Sequence, residues 1–297
     1  MTDRAAAHRP DASATLTGLG AIVLWSTLAV LTALSGSAPP FELAALTFAV
    51  GGLSGIAYVA ARGRLGLLIQ PARVWAVGVG GLFGYHALVF AALKRAPLAE
   101  ANLVNYLWPL LIVLFSALLP GERLRARHVI GVALGFAGVA TLVLGKGTAG
   151  VANFVQADRR ALEGFGFAFA GAFVWAGYSV LSRKLKSAPT ETVAGFCLAT
   201  SLLAFLCHAA FETTVVPNAV EAAAILALGL GPVGLAFYVW DYGVKHGDIR
   251  LLGVVAYATP VMSTLILVAA GVAPAAWPLA VACAMIVGGA AIASRRV

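Results

Sequence analysis

The chain is 297 residues long, 61% hydrophobic and 11% charged, with a formal net charge of +8. A soluble domain carries roughly 25% charged residues, so this chain cannot wet a globule of its size, and disorder, coiled coil, collagen and disulfide scaffolds are excluded with it. The basic residues sit in short clusters between apolar runs rather than along a polar face, which excludes a nucleic-acid partner.

Residues 1–15, with Arg4 and Arg9, read as a polar N-terminal tail. The apolar run that follows is too long for a signal-peptide core and lacks a convincing cleavage site, so it reads as a membrane helix. A bilayer-crossing helix needs about 20 apolar residues. Ten such runs are predicted at 16–35, 42–61, 74–93, 100–119, 127–146, 164–183, 191–211, 221–242, 250–270 and 276–294. Breakers such as Pro97, Pro120-Gly121, Pro189, Pro217 and Gly247 separate them. Short connections imply antiparallel neighbours, and the one long connection is 147–163. Cys197, Cys207 and Cys283 fall inside apolar runs without CxxC spacing and read as small helix residues. No cofactor or metal is expected.

Placing the N-terminus in the cytoplasm puts only Lys94, Arg95, Lys146, Arg159 and Arg160 on the outer side, out of 20 Lys and Arg in all. The positive-inside rule then predicts a multi-pass protein of a bacterial-type inner membrane with both termini cytoplasmic. At an offset of about 150 residues the chain also resembles itself. Trp25 aligns with Trp175, Pro40-Phe41-Glu42 with Pro189-Thr190-Glu191, Lys94 with Lys245, Tyr106-Leu107-Trp108-Pro109 with Tyr257-Ala258-Thr259-Pro260, and Gly138 with Gly289. The expected fold is therefore an all-α integral membrane protein of ten transmembrane helices in two five-helix repeats, 16–146 and 164–294. Five is odd, so the second repeat is inverted, an arrangement that recurs in secondary transporters with the site between the halves.

The ten runs, the duplication and the segment Ala99-Glu100-Ala101-Asn102 … Pro109 … Pro120-Gly121-Glu122-Arg123-Leu124 resemble the drug/metabolite transporter superfamily, in its EamA-type branch. The second half departs from the pattern, with Ala270-Gly271-Val272-Ala273 where a second Gly-Glu would stand. Tyr85-His86, Tyr106, Trp108 and Trp175 are similar to the aromatic amino acid exporters of that branch. The resemblance implies efflux of small amphipathic substrates, aromatic amino acids above all, through a central cavity by alternating access.

Residue chemistry offers candidates of its own. His86 lies near the middle of its span, where an ionisable group is costly and functional by default; it either faces a cavity and binds the substrate's polar end, or hydrogen-bonds a neighbouring helix. Asn102, Asn105, Tyr106 and Pro109 fall at i, i+3, i+4 and i+7, one face of a helix that Pro109 should kink. Tyr257, Pro260 and Thr264 repeat the pattern. Tyr106 and Tyr257 are expected to line a cavity, while Asn102 fits cavity or packing equally. Trp25, Tyr85, Trp108, Trp175 and Tyr178 lie near span centres and make plausible aromatic walls. Trp75, Trp277 and Trp240 instead read as interfacial.

Pro109, Pro260, Gly231 and Pro232 are candidate hinges, the last two matching Gly80-Gly81, and Tyr238 is a candidate gate residue. Asp241 and Lys245 suggest an intrahelical ion pair. Glu42, Glu100 and Glu191 read as helix-start carboxylates. The GxxxG pairs Gly51/Gly55, Gly80/Gly84 and Gly131/Gly135 predict close helix packing and leave the oligomeric state open, a monomer included. The expected partners are the lipid bilayer and a small-molecule substrate. A carrier for another metabolite or drug is the nearest alternative. A membrane enzyme is the rival of a different class, and it lacks any HExxH, clustered acidic or Ser/His motif. An aqueous pore lacks the long polar stripe it would need.

Overall fold

A computed structural model describes residues 11–120, 124–144, 157–269 and 277–294. The Gly121-Glu122-Arg123 segment and its counterpart at Gly271 lie outside the described residues, as does most of the 147–163 connection. Every regular element among the described residues is helical. In chain order these are α1 (Ala12–Ser26), α2 (Leu28–Leu34), α3 (Pro40–Ala61), α4 (Ala72–Leu93), α5 (Leu98–Asn105), α6 (Trp108–Ser116), α7 (Ala126–Leu144), α8 (Arg159–Lys184), α9 (Val193–Phe211), α10 (Ala219–Leu230), α11 (Ala236–His246), α12 (Ile249–Val255), α13 (Ala258–Ala269) and α14 (Trp277–Ser294). Seven helical runs are long and apolar enough to cross a bilayer. Three further apolar helices, Glu100–Ser116, Ala126–Thr141 and Trp277–Ala293, are shorter within the described residues.

Local chemistry sets the helix ends. The Asp11 and Asp158 carboxylates accept from the amides of Ser13 (2.8 Å) and Ala161 (2.7 Å), satisfying first-turn donors that the helix leaves open. Asn218 and Glu221 form a capping box.

Chemistry also sets the breaks. The α5–α6 break falls at Tyr106-Leu107 and the α12–α13 break at Ala256-Tyr257. Both precede a proline in the next helix, Pro109 or Pro260. Proline cannot donate to the carbonyl four residues back and clashes with it, so the helix parts upstream of the proline rather than at it. Between α1 and α2, Ser26 and Thr27 bond the carbonyls of Val23 (2.6 Å) and Leu24 (2.7 Å), competing with the helical ladder. A π-helical turn, Gly231–Leu235, joins α10 to α11 around Pro232. The matching glycines Gly80 and Gly81 sit inside unbroken α4. Glycine keeps its N–H and proline does not, so only the second site became irregular.

The helices pack in two groups. Helices α1–α2 lie along α10–α11 and α12–α13, while α8 lies along α4 and α5–α6. The pairs α3–α9 and α7–α14 flank them. Gly131 and Gly289 face each other in the α7–α14 contact, where a Cβ on either would come within 2.6 Å of the other's carbonyl oxygen. Gly51 meets Gly234 in the same way, at 2.8 Å from its Cα. The expectation fails for Gly80 and Gly84: nothing lies within 4 Å of a Cβ at Gly80, and Gly84 has only ordinary contact with Val174. The neighbouring Gly78 and Gly81 receive the rings of Phe196 and Tyr178 instead. One end of the bundle gathers Arg62, Arg64, Arg183 and Lys245 and is called the basic end below.

Candidate substrate site

Where the two groups face each other, aromatic rings from both interlock. Trp25 of α1 lies 5.7 Å from Trp175 of α8, 6.2 Å from Trp108 of α6 and 5.1 Å from Trp240 of α11, centroid to centroid. Tyr85 and Tyr178 each approach Trp175 at 5.2 Å. Phe48 stacks on Phe237 at 5.5 Å and meets His86 edge-on at 4.9 Å. Aromatic pairs at these separations add about 0.5–1.5 kcal/mol each beyond burial, so the cluster helps hold the two groups together. Its polar handles are partly used. The Trp25 indole donates to the Pro232 carbonyl at 3.0 Å, and the Trp240 indole to Ser179 Oγ at 3.1 Å.

Of the sequence candidates, Trp25, Tyr85, His86, Trp108, Trp175 and Tyr178 come together here. Trp240 was read as interfacial and is not: it is fully buried at the centre of the cluster. The Phe237, Trp240, Asp241, Val244 spacing of α11 was the missed signal, since three- and four-residue steps mark one buried face. Phe237 and Phe48 were missed because a phenylalanine in an apolar run looks like any other lipid-facing residue.

His86 Nδ1 lies 2.7 Å from the Leu82 carbonyl, one turn back on its own helix. A carbonyl only accepts, so Nδ1 carries a proton, and Nε2 has no partner among the described residues. A bond to a neighbouring helix, the alternative to a cavity-facing role, is absent among the described residues. The indole N–H groups of Trp108 and Trp175 likewise have no partner there.

The expected stripe on the fourth span is split by the 106–107 break. Asn105 turns toward α4, its amide 3.0 Å from the Tyr85 hydroxyl. Tyr106 packs with a second apolar cluster that holds Tyr257, fully buried and 6.4 Å from Phe136. Asn102 is half-buried one turn before Tyr106. Thr264 Oγ1 bonds the Pro260 carbonyl at 2.8 Å.

Tyr238 donates to the Gly51 carbonyl at 3.1 Å. With Tyr58, Tyr242, Glu191 and His246 it lines a crevice of about 480 Å³ at the basic end, apart from the aromatic cluster.

Ion pairs tie the bundle at both ends. At the basic end Lys245 Nζ lies 2.7 Å from Asp241 Oδ2, with both side chains at most 4% exposed. Thr190 donates to the same carboxylate oxygen at 2.7 Å, and Lys245 donates to the Ala188 carbonyl at 2.9 Å. Glu191 pairs with Arg64 at 3.8 Å.

At the opposite end Glu212 accepts from the amides of Phe41 (3.0 Å) and Glu42 (3.1 Å), and meets His208 Nδ1 at 3.2 Å and Lys94 Nζ at 3.5 Å. Glu42 in return accepts from the Val215 amide at 3.0 Å. Burial would raise the Glu212 pKa, but the bonds from His208, Phe41 and Glu42 and the charge of Lys94 overrule it and hold the carboxyl below its ordinary value. A depressed folded pKa contributes stability above the unfolded pKa, about 4.3, and that stability is lost as pH falls through the folded value. Unfolding measured from pH 7 to 3 is thus expected to show a steeper acid loss in the parent than in Glu212→Gln. Parallel curves would show that this carboxylate is not the group responsible.

Helices long and apolar enough to cross a bilayer, packed against one another in this way, define a multi-pass membrane protein. The chain belongs to the EamA-like transporter family, whose profile matches residues 12–144 and again 162–295. It is accordingly a transporter and not an enzyme. It is 58% identical over 283 residues to the aromatic amino acid exporter YddG of Ancylobacter novellus, covering 95% of this chain and 97% of that protein. It is 28% identical to the exporters of the same name from Salmonella typhimurium and Escherichia coli, in each case over 84% of this chain and 86% of the relative. A crystal structure of a protein 56% identical to it superposes with a TM-score of 0.89, covering 95% of this chain and 97% of that one.

Proposed function

We propose that the protein exports aromatic amino acids and similar amphipathic metabolites by alternating access, with the joint between the two helix groups as the substrate site. The observation that carries this reading is the arrangement at the joint. Trp25 and Trp240 from one group face Trp108 and Trp175 from the other, while Tyr85 packs on Trp175 and His86 meets Phe237. Unpartnered indole donors and an imidazole acceptor lie among flat apolar faces. Such a surface suits a planar side chain with a hydrogen-bonding end, and relatives along the whole chain are named for that cargo.

The reading includes ten crossings in two inverted repeats, 16–146 and 164–294, with both termini cytoplasmic and the basic end facing the cytoplasm. Two matches to one family profile support the duplication, as do the twin breaks before Pro109 and Pro260. The packing is exchanged by the same offset: α1 on α11 corresponds to α8 on α4, and α3–α9 and α7–α14 each correspond to themselves. Halves of this kind hold two states of similar energy, one open to each side. Pro109, Pro260, Gly231, Pro232 and Tyr238 would serve as hinge and gate positions, and Tyr106, Asn102 and Tyr257 would line the path beside the joint.

The test is counterflow in proteoliposomes. Saturable exchange of labelled phenylalanine, tyrosine and tryptophan is expected, and no exchange of any of the three would end the cargo assignment. His86→Leu removes an acceptor for a charged substrate group, worth about 1.5–3 kcal/mol, so exchange is expected to fall tenfold or more at equal protein level. Parental exchange in that variant would remove His86 from the site.

A further inference from the structure

At the basic end a side chain of one helix group bonds the carbonyls that end a helix of the other. At the basic end α11 stops at His246, and Gly247 turns extended at φ −88° and ψ −165°. The last carbonyls of a helix have no intrahelical donor and carry the negative end of its dipole. The His246 carbonyl is taken by the Asp11 amide at 3.1 Å, a bond within one group. The Val244 and Gly247 carbonyls are taken by Arg183, whose Nη1 donates to them at 2.9 and 2.7 Å, with a longer contact of 3.5 Å to Lys245. Arg183 ends α8 and so belongs to the other group. Its guanidinium therefore joins the two groups across their interface, through charge-assisted bonds stronger than neutral ones.

The offset of about 150 residues places Ala33 where a counterpart of Arg183 would stand at the opposite end. Alanine has no side-chain donor. The carbonyl of Lys94, which ends α4 there, is taken instead by Arg160 of α8 at 3.0 Å, a bond within one group. Among the described residues, this latch stands at the basic end of the duplicated scaffold.

We infer that Arg183 is a gating residue: its grip on the end of α11 holds the transporter shut on the basic side, and release of the Val244 and Gly247 carbonyls is a required step in opening that side. The inference rests on the alternating-access reading above. Opening the basic end must separate α8 from α11 and set Arg183 free into water, where solvation replaces the lost bonds.

The experiment uses the full chain in lipid, with Cys197, Cys207 and Cys283 replaced and spin labels placed at Leu16 of α1 and Leu181 of α8, both exposed. Pulsed dipolar spectroscopy reads the separation of the two groups at the basic end. Arg183→Ala is expected to shift the ratio of short to long separation at least tenfold toward long. Arg183→Lys, which still donates to the same carbonyls, is expected to keep most of the short population. Should the alanine variant misfold, Arg183→Gln, with one amide donor left, is expected to fall between the two. An unchanged distance distribution in Arg183→Ala or Arg183→Gln overturns the latch, and so does a lysine variant that shifts as far as alanine. Because distances need no cargo, absence of amino acid flux would defeat the transport reading without moving this result.

Discussion

Trp175→Ala is expected to lower aromatic amino acid exchange by about a hundredfold. The indole is 3% exposed and lies within 6.4 Å, centroid to centroid, of Trp25, Tyr85, Trp108, Tyr178, Phe237 and Trp240. Truncating a buried tryptophan costs about 3–5 kcal/mol, part of it for the cavity left behind. Here the cavity would open at the joint between the two groups, and the neighbouring rings would lean into it. A loss of 3 kcal/mol in positioning is itself about a hundredfold in rate or affinity. Trp175→Phe keeps an aromatic face and is expected to retain measurable exchange with a smaller loss of stability. The measurement is counterflow of labelled phenylalanine beside thermal unfolding in detergent. Parental flux in a folded Trp175→Ala protein would show that the ring is scaffold and not site.

The second large effect falls on stability. Lys245→Ala leaves the Asp241 carboxylate buried, with the Thr190 hydroxyl still bonded to it but no cation beside it. Breaking one side of a buried pair typically costs about 3–5 kcal/mol, because the remaining charge stays in a medium that solvates it poorly. Replacing both partners by uncharged residues of similar volume is expected to be far milder. The Asp241→Asn, Lys245→Met double variant should therefore unfold at a higher temperature than Lys245→Ala alone. If the double variant were as unstable as the single one, the loss would come from the Ala188 contact of Lys245 rather than from a stranded charge.

Asp241 and Lys245 also show where reading the sequence succeeds. A four-residue step on a helix brings two side chains together whatever the rest of the fold does, so the pair was legible. The same holds for the breaker residues, because proline's missing N–H is a property of the residue. Placing the kink at Pro109 was nearly right, but the helix gives way at Tyr106-Leu107, just after the Asn105 carbonyl to which Pro109 cannot donate. That displacement split the stripe of Asn102, Asn105, Tyr106 and Pro109, since spacing predicts one face only while the helix stays regular. Trp240 failed differently. Its place in the chain near a helix end suggested the membrane surface, yet α11 is wrapped by α1 and α8, which bury it.

Composition and spacing, which act within a single helix or between a helix and its solvent, determined that the chain is a bundle of membrane helices, where it breaks, and which aromatic residues lie near the middle of the runs. The folded arrangement alone decided that Trp25 meets Trp240 across 215 positions of chain, that Asn105 reaches Tyr85, and that Arg183 grips the end of α11. In an apolar run every large side chain looks alike, and no periodicity distinguishes a face turned to lipid from one turned to another helix. Only the packing of helices against one another makes that choice.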